Sequence, residues 1–180
     1  MIHELVDCKD PILKQPIENF DFSNPPTDPI QLAHDLAETM LDKGGIGLAA
    51  NQIGLPYRAF AIKAEQIIVC FNPKIVDVSN ETIYLEEGCL SYPNLFVKVK
   101  RPIRIKVRYT EPNGNVLTKI FDGLTSRVFQ HELDHLDGVV HTDRATRYHL
   151  EQARKNAKLK RKPKGLSQNA IQKLSLLSAS

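Results

Sequence analysis

Residues 131–135 read His-Glu-Leu-Asp-His, four ionisable side chains in five positions. Around them Leu124, Val128, Phe129, Leu133 and Leu136 recur as an apolar stripe at helical spacing. A helix with such flanks belongs inside the protein, so the rest of the chain must be built around it. Residues four apart share a helix face, so His131 and His135 can reach one metal ion, and Glu132 can reach a water on that ion. A lone histidine on an apolar face is ordinarily a satisfied core residue. The complete H-E-x-x-H string on a helical stretch is far more specific. This helix is expected to start near Asp122 or Thr125 and to end near Leu136.

An earlier helix is expected from about Asp28 to Lys43. Asp28 suits the cap, Pro29 suits the first helical position, and Gly44-Gly45 ends it. Leu32, Leu36 and Met40, with Ala33, Ala37 and Leu41, predict its apolar face. Residues 1–27, with prolines at 11, 16, 25 and 26, are expected to be irregular or partly extended. Between residues 57 and 120 the runs Ala59–Ile62, Ile67–Phe71, Lys74–Val78, Thr82–Leu85, Ile103–Tyr109 and Val116–Phe121 read as strands. Turn signals such as Ser79-Asn80 and Pro112-Asn113-Gly114-Asn115 separate them. A further helix is expected from Thr146 to about Arg161, stopped by Pro163 and Gly165, with a short helix around Ile171–Leu177. The expected fold is α+β: antiparallel β-strands wrapped around a central metal-binding H-E-x-x-H helix, with an N-terminal helix and a basic C-terminal helix and tail. Residues 1–150 are expected to form one catalytic domain, and residues 151–180 the basic helix and tail.

Composition narrows the setting. With 180 residues and 42% hydrophobic content, one compact core is expected. No run of 18 apolar residues exists, and the opening MIHELVDCKDP lacks the pattern of a signal peptide, so neither a membrane span nor secretion is expected. Three cysteines, Cys8, Cys70 and Cys89, fit a reducing compartment. Cys8 and Cys70 are expected to be small buried hydrophobes.

Two histidines do not complete a catalytic metal site, which usually has three protein ligands. Two candidates stand for the third. His141 completes H-E-x-x-H-x-x-G-x-x-H with Gly138 at the turn position, the string of metzincin zinc endopeptidases. That family also needs a methionine downstream, and the only methionines are Met1 and Met40. Cys89, in Glu87-Gly88-Cys89-Leu90-Ser91, offers a thiolate, a strong ligand for zinc or iron. A further segment, Gly45-Ile46-Gly47-Leu48-Ala49-Ala50-Asn51-Gln52, contains G-x-G-x-x-A. It follows a helix rather than a strand, so it is not a dinucleotide loop. It reads either as a turn packing small residues against the metal helix or as a segment placing the Gln52 amide in the site.

Together GIGLAANQ, EGCLS and QHELDH, in that order, resemble the signature segments of peptide deformylases. The resemblance covers about Asp10 to Arg144, and Phe71-Asn72-Pro73 and Arg101 fit it too. It implies a hydrolase of protein biosynthesis that removes the formyl group from the N-terminal methionine of nascent polypeptides and releases formate. It implies Cys89, His131 and His135 as metal ligands and Glu132 as general acid/base. Gln52 and the Leu90 N–H would form the oxyanion site. Gly45, Ile46, Gly47, Leu124 and Val128 would border the methionine pocket, and Glu87 would pair with Arg101 behind the cysteine. The implied metal is ferrous iron, with zinc, nickel or cobalt fitting the same ligands. The implied location is the cytoplasm of a bacterium or phage-infected cell, or an organellar stroma or matrix. A metzincin-like endopeptidase and a catalytically silent ribosome-binding protein of the same fold remain the alternatives.

The net charge of +3 conceals an asymmetry. Residues 151–180 carry eight Lys/Arg against Glu151 alone, whereas residues 1–150 carry sixteen against twenty acids. In residues 154–164, RKNAKLKRKPK, seven of eleven are basic. Such a run is either a solvated face or a dock for an anionic partner. For a deformylase the natural partner is the ribosome, through rRNA phosphates. Neither DNA nor a membrane is an expected partner.

Overall fold

The helix carrying His131 and His135 spans Gly123–Leu136 (α2) and is buried continuously from Ser126 to Leu136. The structure, a computed structural model that describes residues 1–161, wraps two antiparallel sheets around it. The larger has five strands in the order β1-β2-β3-β6-β7: Gly47–Ala49, Ala59–Lys63, Ile67–Val78, Arg104–Thr110 and Val116–Asp122. The smaller is a two-stranded ribbon of β4, Thr82–Cys89, and β5, Tyr92–Pro102. The expected α+β architecture around a central helix is thus the one observed.

Alternation explains the larger sheet. Ile105, Val107 and Tyr109 face inward from β6 while Arg104, Lys106 and Arg108 face out. The inward set meets Phe129, Leu133 and Leu136 of α2, and Phe60 of β2 stands edge-on to Phe129 with ring centroids 5.0 Å apart. Helix α1, Pro29–Asp42, is capped by Asp28, whose side chain accepts from the Ile30 N–H at 2.9 Å. It packs Leu32, Ala33, Leu36 and Met40 against Leu48 and Phe71. Leu41, expected on this face, is exposed, because five residues past Leu36 it lies well round the helix. After α2 a short helical turn, His141–Arg144 (α3), leads into α4, Arg147–Arg161. Ala153 of α4 is buried on Val97 and Val99 of β5.

Other differences from expectation have local causes. Ile67–Phe71 and Lys74–Val78 are one strand, because Asn72-Pro73 makes a bulge rather than a break. Asn72 takes a positive φ of 48°, and its amide bonds both backbone groups of Phe20, at 2.7 and 2.9 Å. Strand β5 was not foreseen: Pro93 and Pro102 break the pattern, although Val97-Lys98-Val99-Lys100 alternates as a strand should. Gly47–Ala49, within the segment read either as a turn or as the carrier of Gln52, is a strand that pairs with β2. Cys8, expected inside, is exposed in an N-terminal turn, whereas Cys70 is buried. The expected stop at Pro163 and Gly165 and the short helix at Ile171–Leu177 lie outside the described residues. Among the described residues no helix is long and apolar enough to cross a membrane.

Candidate metal centre

Cys89 ends β4 at a register shift after Glu87, and its cross-strand partner is Tyr92, so the ribbon reverses tightly at Leu90-Ser91. This reversal brings the thiol to the histidine face of α2. One ligand atom each from Cys89, His131 and His135 lies within 4.8 Å of the others. Cys89 Sγ is 3.2 Å from His135 Nε2, and the two imidazole rings are 5.0 Å apart. A sulfur and two ring nitrogens, one on a strand and two on a helix, are a donor set for a soft or borderline divalent cation.

The surroundings set the two imidazoles apart. His131 Nδ1–H donates to Glu87 Oε2 at 3.0 Å, which leaves its Nε2 for an ion. Burial opposes charge on His131, yet its hydrogen bonds with Cys89 and Glu87 outweigh burial and raise its pKa. Burial and the charge of His131 push His135 the other way. Glu87 is buried, which opposes its ionisation, but Arg101 and His131 hold its carboxyl well below the usual range. Arg101 donates to it twice, at 2.6 and 2.8 Å, and reaches Asp134 at 2.8 Å.

Glu132 is buried beside this group, and its Oε2 has no partner among the described residues. Burial pushes its carboxyl up to about 7, with His131 acting against the rise. Gln52 Oε1 accepts the Ala49 N–H at 2.9 Å, which fixes the amide orientation. Its Nε2 is thereby turned to Ser91 Oγ at 3.0 Å and Cys89 Sγ at 3.6 Å. A cavity of about 410 Å³ opens here, walled by Gly45, Ile46, Gly47, Leu90, Leu124 and Val128, with Gln52, Cys89, His131 and Glu132 at its polar end. Ile46 and Leu124 are exposed at its rim, while Val128 is buried.

His141 stands apart from the ligand group. Its Nε2–H donates to the Leu95 carbonyl at 3.2 Å, and its ring lies 5.7 Å from that of His131. Three residues of the site were not singled out from the sequence. Ser91 lies within the EGCLS string. Asp134 lies within the H-E-x-x-H string itself and binds Arg101 and Arg144. Arg127 lies one turn before His131 on the same helix face, a spacing that could have identified it.

The fold and this donor set define a class: an α+β protein in which a helix and a strand turn together offer a thiol and two imidazoles to one divalent cation. A family model described as polypeptide deformylase matches residues 2–151. The chain belongs to the polypeptide deformylase family. It is 40% identical to a peptide deformylase of Thermotoga petrophila over 139 residues, covering 75% of this chain and 82% of that one. It is 37% identical to one of Brucella suis over 185 residues, covering 96% and 98%. Its fold is similar to the crystal structure of a peptide deformylase from Synechococcus elongatus in complex with actinonin, with a TM-score of 0.79, 34% identity and coverage of 87% and 86%.

Proposed function

We infer that this chain catalyses the metal-dependent hydrolysis of the N-formyl group from the N-terminal formyl-methionine of nascent polypeptides, releasing formate and the peptide amine. The observation that carries the reading is the meeting of Cys89, His131 and His135 beside Glu132, at the polar end of an apolar-walled cavity. In this reading the three residues hold one divalent ion, ferrous iron for preference, with zinc, nickel or cobalt suited to the same donors. Bound there, the ion supplies a Lewis acid that polarises the formyl carbonyl and eases deprotonation of a water. Glu132 takes the proton of the attacking water and returns it to the leaving nitrogen. The Gln52 amide and the Leu90 N–H donate to the oxygen on which charge develops. Gly45, Ile46, Gly47, Leu124 and Val128 hold the methionine side chain. Glu87 and Arg101 fix the tautomer of His131 and the position of the cysteine segment.

Residues 1–150 act as the catalytic unit in this reading. Residues 151–180 are the basic C-terminal stretch; Ala153 of α4 rests on β5, and the run 154–164 docks the ribosome. The setting is the cytoplasm or an organellar matrix, where formylated chains are made.

The test is formate release by the metal-loaded protein from a short formyl-methionyl peptide, with the acetyl-methionyl analogue as control. Formate from the first and no cleavage of the second is expected. Absence of formate, with cleavage of internal peptide bonds instead, would replace this reading by the endopeptidase one.

A further inference from the structure

The three candidate ligands are carried by two elements remote in sequence. His131 and His135 stand on α2, which lies against the five-stranded sheet, whereas Cys89 ends β4 in the two-stranded ribbon. Backbone bonds from Ser79 N–H to the Arg104 carbonyl and from Ile103 N–H to the Glu81 carbonyl join the ribbon to the larger sheet at one end, whereas Cys89 stands at its other end. Metal–ligand distances tolerate only about 0.2 Å, so the ribbon must also be held against α2 along its length. Resting on the ligand reading above, we propose that Arg127 is a positioning residue of the metal centre: it holds Glu87 and the ribbon against α2 so that Cys89 and His131 meet one ion.

The geometry of its guanidinium carries the proposal. Arg127 lies on α2 and is only 5% exposed. It reaches three points on the ribbon: the Ile83 carbonyl on β4 at 2.8 Å, the Val99 carbonyl on β5 at 3.0 Å, and Glu87 Oε1 at 2.6 Å. Glu87 in turn accepts from His131 Nδ1–H through its other oxygen. One side chain thus ties the ribbon backbone to the helix and also fixes the carboxylate that orients a ligand imidazole. Arg101 makes the complementary link from β5, to Glu87 and to Asp134 on α2. The three acceptors are met by two nitrogens held apart in a rigid fork, which the single nitrogen of a lysine cannot reproduce, so a lysine cannot replace Arg127 fully. Without the Arg127 charge, Glu87 stays buried with one fewer cation, and its hold on His131 loosens.

The test uses the full chain loaded with cobalt, following both cobalt affinity and the thiolate–cobalt charge-transfer band. Arg127→Met, which keeps much of the bulk and removes the charge, is expected to weaken cobalt binding about 10–100-fold and to diminish the band. Arg127→Lys is expected to fall between this variant and the parent. Because Arg127 acts largely through Glu87, combining Arg127→Met with Glu87→Gln should cost less than the product of the two single losses. Parent-like affinity and band in Arg127→Met, or losses that simply multiply, would overturn the proposal. If Arg127→Met does not fold, the same cycle run with Arg127→Lys decides by the same criteria. Cys89→Ala separates the two levels of inference: a band that survives it refutes the ligand reading itself, whereas a band lost there but intact in Arg127→Met refutes only the role of Arg127.

Discussion

The Glu132 carboxylate lies against the Cα of Gly47 so closely that a Cβ at position 47 would collide with it. Gly47 is on β1, the strand that packs on the metal helix, so the absence of a side chain there makes the place that Glu132 occupies. In Gly47→Ala the part that gives way is the movable end of Glu132, not backbone. The variant is expected to fold with a melting temperature within a few degrees of the parent. It should bind cobalt normally and lose formate release by about 100-fold or more, as displacement of an acid/base group does. Normal turnover in Gly47→Ala would show that the observed seat of Glu132 is not the working one.

Glu132→Gln tests the same group without moving it. Gln is nearly isosteric but cannot take a proton from water. Metal content should remain that of the parent, and turnover should fall about 10²–10⁴-fold. Formate release near the parent rate would remove Glu132 from the chemistry.

Cys89 and His141 make opposite predictions. Cys89→Ala is expected to abolish activity and weaken metal binding sharply. His141→Ala should cost only the stability of a buried hydrogen bond, about 1–3 kcal/mol, because its Nε2–H is committed to the Leu95 carbonyl. The cobalt-loaded parent should show a thiolate charge-transfer band that is unchanged in His141→Ala. Loss of metal from His141→Ala with the band absent would favour the peptidase arrangement. A thiolate ligand is also open to oxidation, so peroxide should inactivate the parent. Cys8 is the other accessible thiol, and Cys8→Ser should be inactivated just as readily.

The basic C-terminal stretch can be tested in two steps. Truncation after Arg161 removes residues 162–180 and leaves α4 in place, so activity on a short formyl-methionyl peptide should be unchanged. Ribosome affinity should fall, and the residual binding should depend less steeply on salt. Truncation after Arg147 also removes Ala153 from Val97 and Val99, and it should lower the melting temperature. Unchanged ribosome affinity in the first truncation would clear the distal tail of that role.

What local order dictates was legible along the chain. The stripe of Val128, Phe129, Leu133 and Leu136 announced a buried helix, and the i, i+4 pair His131/His135 announced a metal face, because helical periodicity puts near neighbours on one side. Asp28-Pro29 and Gly44-Gly45 marked the ends of α1 for equally local reasons. The strings around Gln52, Cys89 and His131 carried the family. Chemistry alone left Cys89 and His141 both open as third ligand, since either could bind an ion. Only the tertiary structure brought the Cys89 thiol, 46 residues before His135, to 3.2 Å from its ring while tying His141 to Leu95. It likewise decided the strand order and the joining of Arg127 and Asp134 to the Glu87–Arg101 pair that the resemblance implied. Glu87 and Arg101 stand on the ribbon and Arg127 and Asp134 on α2, and no periodicity encodes which strand a helix side chain will meet. Burial chooses the partners, because a charge removed from water must find its counter-charge in whatever the rest of the fold has brought alongside.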